Sequence, residues 1–347
     1  VAEPGMLGCC DRNQEKGEIL MNEYAPQDED IARLKALYDD LLCHENDYLG
    51  RLRDGALKAR EGLDTGIILH AKHADDQTAE IEVRIPKYAI TVIGARTGGG
   101  KTATMVNLST RLAMAGKTGM YVTLEEPAFA INARMMSCHS ARSRSQYSSE
   151  WMNYVDCLSV LSGNREYAGL GAYRKDVLRH CRVIDANGEV GENIEKPSVL
   201  YYPQHIAELI EYRNLRSESP LDFVMIDFGQ LLESIEGYEN SNQRIRAVMQ
   251  ALKNLAGTGL SIIIGAQMKR ECYGLKIWDW EPELLRDGSD MEQAANLIIF
   301  VGKDKDSGRM ALRYGKNRNG PQRVAGLFDI DFAHSNIPNK GSDPDEP

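Results

Sequence analysis

Apolar positions recur along this chain in two rhythms. From Glu29 onward Ile31, Leu34, Tyr38, Leu41, Leu42, Tyr48, Leu49 and Leu52 follow one another at helical spacing, which predicts one or two amphipathic helices ending around Gly55 to Gly62. Residues 1–27 mix Gly, Pro, Asn, Gln and acids without a period and are expected to be a poorly ordered tail. After a linker-like stretch, HAKHADDQTAE, the alternation Ile81, Val83, Ile85 predicts a strand that Pro86 breaks. The main domain is expected to begin there. YAITVIGA reads as a buried strand. KTATMVNLSTRLAMAG reads as a helix with Met105, Leu108 and Leu112 inward and Gly116 as its stop, and TGMYVTL as a second strand. A helix from Pro203 to Arg216, the strand DFVMIDF, a helix carrying Ile245, Val248, Leu252 and Leu255, and the strand LSIIIGAQ follow. Strands alternating with helices predict an α/β fold whose mostly parallel sheet is covered on both faces. The expected organisation is a tail at 1–27, a helical extension at 28–62, linker and strand at 63–85, the main domain at 86–335 and a disordered tail at 336–347.

Composition narrows the class. A length of 347 residues accommodates one large α/β domain with a smaller attachment, or two modest domains. No apolar run approaches the length of a membrane span, and the first twenty residues lack a basic segment followed by an apolar one. No membrane association and a cytoplasmic location are therefore expected. The net charge of −10 argues against a surface coated all over in nucleic acid and leaves room for local basic loops. The cysteines Cys9, Cys10, Cys43, Cys138, Cys157, Cys181 and Cys272 are odd in number and lack framework spacing, which fits reduced thiols. Three of them adjoin a histidine, but adjacent side chains point apart, so this is not zinc-ligand spacing.

Between a predicted strand and a predicted helix stands ARTGGGKT, which matches the phosphate-loop pattern everywhere but at its first position, where Ala95 replaces glycine. Arg96, Thr97, Gly98, Gly99 and Gly100 form the turn, and Lys101, Thr102 and Ala103 open the helix. The glycines let backbone N–H groups curl around a phosphate at a helix N-terminus, whose dipole favours negative charge. Lys101 would reach the β- and γ-phosphates, and the Thr102 hydroxyl would ligate Mg²⁺. A phosphate loop also needs an acid for the metal, and LDFVMIDF supplies Asp227 at the end of a buried strand. Hydrolysis further requires a group to orient or deprotonate water. YVTLEEP offers Glu125 and Glu126 at the carboxyl edge of a strand, where ligand crevices form. Gln267, closing the apolar run SIIIGAQ, is suited to sense a γ-phosphate, with a capping role as the alternative.

In chain order, IGARTGGGKT, LEEP, MIDFGQLL, AQMKR, LRDGSDMEQAANLIIF and KNRNGP resemble the ATPase domain of DnaB-like replicative helicases, within the RecA-like family, over roughly residues 86–332. The resemblance implies a RecA-like core assembled as a homo-oligomer, a hexameric ring, with ATP between subunits and single-stranded DNA through the centre. It implies Glu125 as catalytic carboxylate, Asp227 as Mg²⁺ acid and Gln267 as γ-phosphate sensor. Lys316 and Arg318 of KNRNGP would reach into the neighbouring subunit's ATP, Arg318 as an arginine finger. DNA contacts in the family come from the loops after the sensor strand, which here hold Lys269, Arg270, Lys276 and Arg286 with Trp278 and Trp280. Arg286, Asp287 and Gly288 match the DNA-loop positions. Cations there would hold phosphates without reading sequence. Packing of the tryptophans into the loop competes with base stacking by them.

Departures from the family pattern are specific. Ala294 and Asn296 stand where acids are usual, Glu126 where methionine is common, and Gln250 where arginine is usual. The stretch before the ATPase motifs is shorter than the globular N-terminal domain of full-length replicative helicases, which engages primase. Either residues 1–60 replace that domain, with the helix from Glu29 to Leu52 docking on the next subunit, or the chain is a stripped-down relative from a phage, plasmid or other mobile element. A primase or a helicase loader is an expected partner. The first functional expectation is therefore an ATP-driven DNA translocase and helicase. The second is a RecA-like regulatory or scaffolding ATPase that switches assembly or partner binding without unwinding. A recombinase-type filament former is a third, against which KNRNGP speaks.

Overall fold

The structure is a computed structural model that describes residues 62–72, 78–147, 151–186, 201–217, 219–235, 240–322 and 324–342, together with Gly50 and Arg53. The chain divides into two compact units, Val1–Leu57 and Lys58–Pro347. Gly50 and Arg53, both helical, are all that is described of the first unit. The rest of the helical stripe expected over Glu29 to Leu52, the tail at 1–27 and Cys9, Cys10 and Cys43 lie outside the described residues.

The second unit is built on a ten-stranded sheet. Its strands are β1 (Leu63–Lys72), β2 (Thr78–Ile85), β3 (Ala89–Ala95), β4 (Gly119–Thr123), β5 (Cys181–Asp185), β6 (Phe223–Asp227), β7 (Ser261–Gln267), β8 (Leu297–Lys303), β9 (Met310–Asn317) and β10 (Val324–Phe328). They lie in the order β2-β1-β10-β9-β8-β3-β7-β6-β4-β5. The pairs from β8 through β5 are all parallel, and β9, β10, β1 and β2 continue the sheet as an antiparallel wing. Six parallel strands need crossover connections, and helices supply them: α1 (Lys101–Met114), α2 (Ala128–Tyr147), α3 (Tyr154–Leu161), α4 (Pro203–Leu215), α5 (Ser241–Ala256) and the short α6 (Gly288–Ala294).

Alternation along each strand divides the core into two layers. Ile93, Tyr121, Met225, Ile263 and Ile299 face the layer that holds α1 and α2. Val92, Val122, Ile226, Ile264 and Ile298 face the layer that holds α4 and α5. Near-continuous apolar runs such as SIIIGAQ are what burial on both faces demands. Helix α1 is buried from Thr104 to Ala113 and ends as its sequence predicts: Gly116 takes φ 77° while its N–H and that of Lys117 bond back to Ala113 and Leu112.

Two expectations about the domain's margins give way. The stretch read as linker is occupied, on either side of the undescribed residues 73–77, by the ends of β1 and β2. Strand β1 buries Leu63, Thr65, Ile67, Leu69 and Ala71, a strict period of two. Thr65 and Ala71 carry little hydrophobicity, so the alternation is faint in the sequence. The disordered tail expected from residue 336 is packed through residue 342: Ile337 is buried, and Lys340 and Ser342 bridge to Ile68 and Leu327. The reason is Arg111, buried in α1. Its Nε donates to Asn107 Oδ1 at 2.7 Å, and its Nη1 donates to the carbonyls of Thr65 and Gly66 at 3.2 and 2.9 Å and to Asn339 Oδ1 at 3.1 Å. Its Nη2 donates to the carbonyl of Ile337. One guanidinium thus fastens β1 and the C-terminal segment to the helix that opens at the phosphate loop.

Replacing Arg111 with Met keeps the volume and orphans these acceptors, each costing about 1–3 kcal/mol when buried. We expect Arg111→Met to lose roughly 3 kcal/mol in urea unfolding; a loss below about 1 kcal/mol would show that the staple is dispensable.

Candidate functional site

Strand β3 lies between β7 and β8, and its carboxyl end delivers residues 96–100 to the edge where β4, β6 and β7 also finish. The loop curls as its glycines allow. Gly99 N–H bonds to the Arg96 carbonyl at 2.8 Å and Thr104 N–H to the Gly100 carbonyl at 2.9 Å. Gly100, at φ 94°, is the N-cap of α1, and a Cβ there would stand 2.3 Å from Met310 Cε. The cap has no side-chain hydrogen bond, and the first turn holds no acid. The helix N-terminus therefore presents uncapped N–H groups to a cavity of about 350 Å³.

Asp227, 3% exposed at the end of β6, organises that cavity. Its Oδ1 meets Lys101 Nζ at 2.6 Å, while its Oδ2 accepts from Thr102 Oγ1 at 2.9 Å and from Tyr121 OH at 3.0 Å. Burial, reinforced by the Asp227 charge, raises the Tyr121 phenol well above its usual range, so it stays a donor. Lys101 Nζ also lies 4.2 Å from the centre of the Phe228 ring. The Lys101–Asp227 pair crosses over Gly265 of β7. A Cβ on that glycine would stand 2.7 Å from Met105 Sδ, 3.0 Å from Asp227 Oδ1 and 3.1 Å from Lys101 Cδ. The sequence pattern assigned Gly265 no role; its signal was a glycine inside an apolar strand, which marks close approach.

Glu125 is exposed just past β4 and lines the same cavity, as do Gln267 and Glu126. Gln267 Nε2 donates to Thr97 Oγ1 in the phosphate loop. Glu126, the departure from the family pattern, pairs with Arg134 of α2 at 3.0 Å, which brings a further cation to the cavity wall. Phe332, 58% exposed on the C-terminal segment, completes the wall. Nothing in the sequence pattern singled out Arg134 or Phe332: Arg134 is one of several cations along α2, and Phe332 arrives from a segment distant in the chain.

Oxygen donors suit a hard cation, and Thr102 and Asp227 place a hydroxyl and a carboxylate together beside the loop that would hold phosphates. These residues fit Mg²⁺. Among the described residues no cluster of three or more His, Cys, Asp or Glu is placed to hold a metal by itself.

The other residues singled out by sequence sort into two further places. Lys269, Arg270 and Arg286 line a hollow of about 470 Å³ that shares Thr97 and Gln267 with the first cavity. Lys276 stands apart, paired with Asp306 at 2.7 Å. Asp287, at φ 58°, caps α6, and Gly288 is its first residue. Trp280 is 1% exposed and packs edge-on against Phe300, while Trp278 Nε1 donates to Asp304 at 3.1 Å, so both tryptophans pack the loop down. Lys316 and Arg318 lie at the opposite end of the sheet from the phosphate loop. Their side chains donate to the carbonyls of Glu292 and Gln293. Burial, with Arg318 nearby, lowers the Lys316 amine below its usual range.

Comparison with known proteins agrees with this architecture. Residues 202–334 match the family model of the DnaB-like helicase C terminal domain. A probable plasmid replicative DNA helicase of Chlamydia trachomatis is 26% identical over 249 residues, covering 69% of this chain and 48% of the relative. The replicative DNA helicase DnaB of Haemophilus influenzae is 25% identical over 281 residues, covering 78% of this chain and 54% of the relative. The chain thus spans about half the length of the curated relatives it matches. Among solved structures, a DnaB-like replicative helicase described with its interactions with primase superposes with a TM-score of 0.55 at 18% identity, over 72% of this chain and 57% of that one. A second solved structure, an isolated ATPase domain, superposes with a TM-score of 0.53 at 18% identity, over 72% of this chain and 84% of that one. The fold is therefore the RecA-like ATPase fold.

The crossing at Gly265 yields a test. Gly265→Ala should separate Lys101 from Asp227 and weaken ATP binding in the presence of Mg²⁺ by roughly tenfold or more, while α/β circular dichroism is retained. Unchanged affinity in a fluorescent-nucleotide titration would show that the pair does not govern the site.

Proposed function

We propose that this chain, which carries the ATPase domain of the DnaB-like helicases, is an ATP-driven translocase and helicase that hydrolyses ATP between copies of itself to move on single-stranded DNA. The observation that carries the proposal is the position of KNRNGP. Lys316 pairs with Ile298, and Arg318 N–H bonds to Asn296, whose own N–H bonds to Ile90. Ile90 is five residues before Ala95, so Arg318 sits about 16 Å along the strands from the phosphate loop. An arginine side chain cannot span that distance and reach the same chain's cavity. A second copy must present its own cavity for these cations to act on nucleotide, which makes turnover depend on assembly.

The residues then take the following work. Backbone N–H groups of residues 98–102 and Lys101 hold the phosphates. Thr102 and Asp227 would hold Mg²⁺, which would supply charge neutralisation at the phosphate oxygens. Glu125 orients and deprotonates the attacking water, and its exposure at the cavity wall suits a group that must meet water. Gln267 reads the γ-phosphate from beside Thr97. Arg318 of the neighbouring copy stabilises the charge that develops in the transition state, with Lys316 beside it. Phe332 offers an aromatic surface to the nucleobase. Lys269, Arg270 and Arg286 hold DNA phosphates, and Lys276, engaged with Asp306, contributes to the local field. The resemblance to DnaB-like helicases implies a hexamer, with residues 28–62 as the segment that joins one copy to the next and a primase or loader as partner.

Arg318→Ala should leave ATP binding intact and lower turnover by about 10³-fold. Mixing Arg318→Ala with Lys101→Ala subunits should restore part of the turnover, since an interface where the Arg318→Ala copy supplies the loop and the Lys101→Ala copy the finger is intact. Turnover unaffected by Arg318→Ala would sink the assignment. ATPase rates of the sized oligomer with and without single-stranded DNA test the motor itself: stimulation is expected, and indifference to DNA would favour a regulatory ATPase that switches assembly.

A further inference from the structure

Gln230 has no part in the chemistry above, yet its side chain joins the two cavities. It lies three residues beyond Asp227, in the short 3₁₀ turn Gly229–Leu231, and is 7% exposed. Strand β6 leaves β7 after the pair Ile226 and Ile264, so Gly265, Ala266 and Gln267 have no ladder partner in β6. The Gln230 amide takes that partner's place at the end of β7. Its Oε1 accepts from Gln267 N–H at 3.3 Å, and its Nε2 donates to the Gln267 carbonyl at 3.4 Å and to the Arg286 carbonyl at 3.2 Å. The Gln267 carbonyl also accepts from Arg286 N–H at 2.8 Å. A side-chain amide is acting as a peptide group that bridges two stretches of main chain.

The two cavities share Thr97 and Gln267, and the bridge ties that shared wall to Arg286 of the basic hollow. On one side the Gln267 side chain touches Thr97 of the phosphate loop. On the other, Arg286 lines the basic hollow with Lys269 and Arg270. The three contacts lie at the long end of the hydrogen-bond range, so small shifts of Gln267 alter them sharply. A methionine would fill the same volume without burying an amide, and a glutamine that served only to pack would be a costly choice there.

We infer that Gln230 is a positioning residue that couples γ-phosphate sensing at Gln267 to the Arg286 loop, so that nucleic acid in the basic hollow and nucleotide in the cavity report to each other. This rests on the proposed function, because it takes the basic hollow to be where DNA binds. Coupling of this kind is reciprocal: DNA raises turnover through the bridge, and nucleotide alters the Arg286 loop through the same bonds.

The test compares the full chain with Gln230→Met, which keeps the volume, and Gln230→Glu, which keeps the acceptor and loses both donated bonds. ATPase rates are read with and without oligo-dT, alongside oligo-dT affinity. In both variants we expect unstimulated turnover and the KM for ATP to stay near wild type while the stimulation factor falls roughly tenfold. Equal loss of basal and stimulated rates would reduce Gln230 to a structural part, and full stimulation in either variant would overturn the coupling. A wild-type chain that DNA does not stimulate would reject the motor reading and this inference with it. Should both variants fail to fold, hydrogen exchange on the wild-type chain decides: a nonhydrolysable ATP analogue should change the protection of amides 284–288 without DNA, and unchanged protection would overturn the inference.

Discussion

The Asp227 carboxylate is the interaction around which the rest of this domain is arranged. It is buried at the edge of the sheet, and a buried carboxylate is tolerable only when paired and hydrogen-bonded. Lys101, Thr102 and Tyr121 meet that demand from two different elements, the start of α1 and the middle of β4. Their convergence requires β3, β7, β6 and β4 to end together and requires β7 to pass beneath the ion pair without a side chain, which Gly265 provides. Removing Lys101 would leave an uncompensated charge in the interior. The geometry of the nucleotide cavity is thus locked by electrostatic necessity as much as by packing.

A second constraint comes from the margins of the sheet. The parallel strands alone would leave β8 as an edge, and β9, β10, β1 and β2 cover it. The wing also has consequences for the site. Met310 at the start of β9 packs under Gly100, the C-terminal segment carries Phe332 to the cavity, and Arg111 ties that segment to α1. The phosphate loop is therefore held from below by strands that follow it in sequence by about two hundred residues. Turn-rich surroundings alone would not keep such a glycine-rich loop in one conformation, given the entropy its glycines lose on ordering.

Polarity along the strands separates the two kinds of cation. Those at the carboxyl edge, Lys101, Arg96 and Arg134, share a cavity with Glu125 and Glu126. Those at the amino edge, Lys316 and Arg318, are turned onto the carbonyls that end α6, where a cation is favoured by the helix dipole. A parallel sheet keeps these edges a strand's length apart, so one molecule cannot close its own site with both sets.

The sequence by itself determined the alternation of strands and helices, the phosphate loop, and the acids and glutamine that end the buried strands. These are local signals: apolar runs of strand length, glycines between a strand and a helix, polar residues where burial stops. It left packing and stacking of the tryptophans as competing options, and the burial of Trp280 against Phe300 decided for packing. Only the tertiary structure decided what depends on neighbours remote in the chain. Strand β1 was faint because Thr65 and Ala71 keep its period with little hydrophobicity, and the segment through residue 342 looked like a tail because its anchor, Arg111, lies more than two hundred residues earlier. Gly265, Arg134, Phe332 and Gln230 gained meaning from the atoms opposite them, and a one-dimensional pattern carries no record of those atoms.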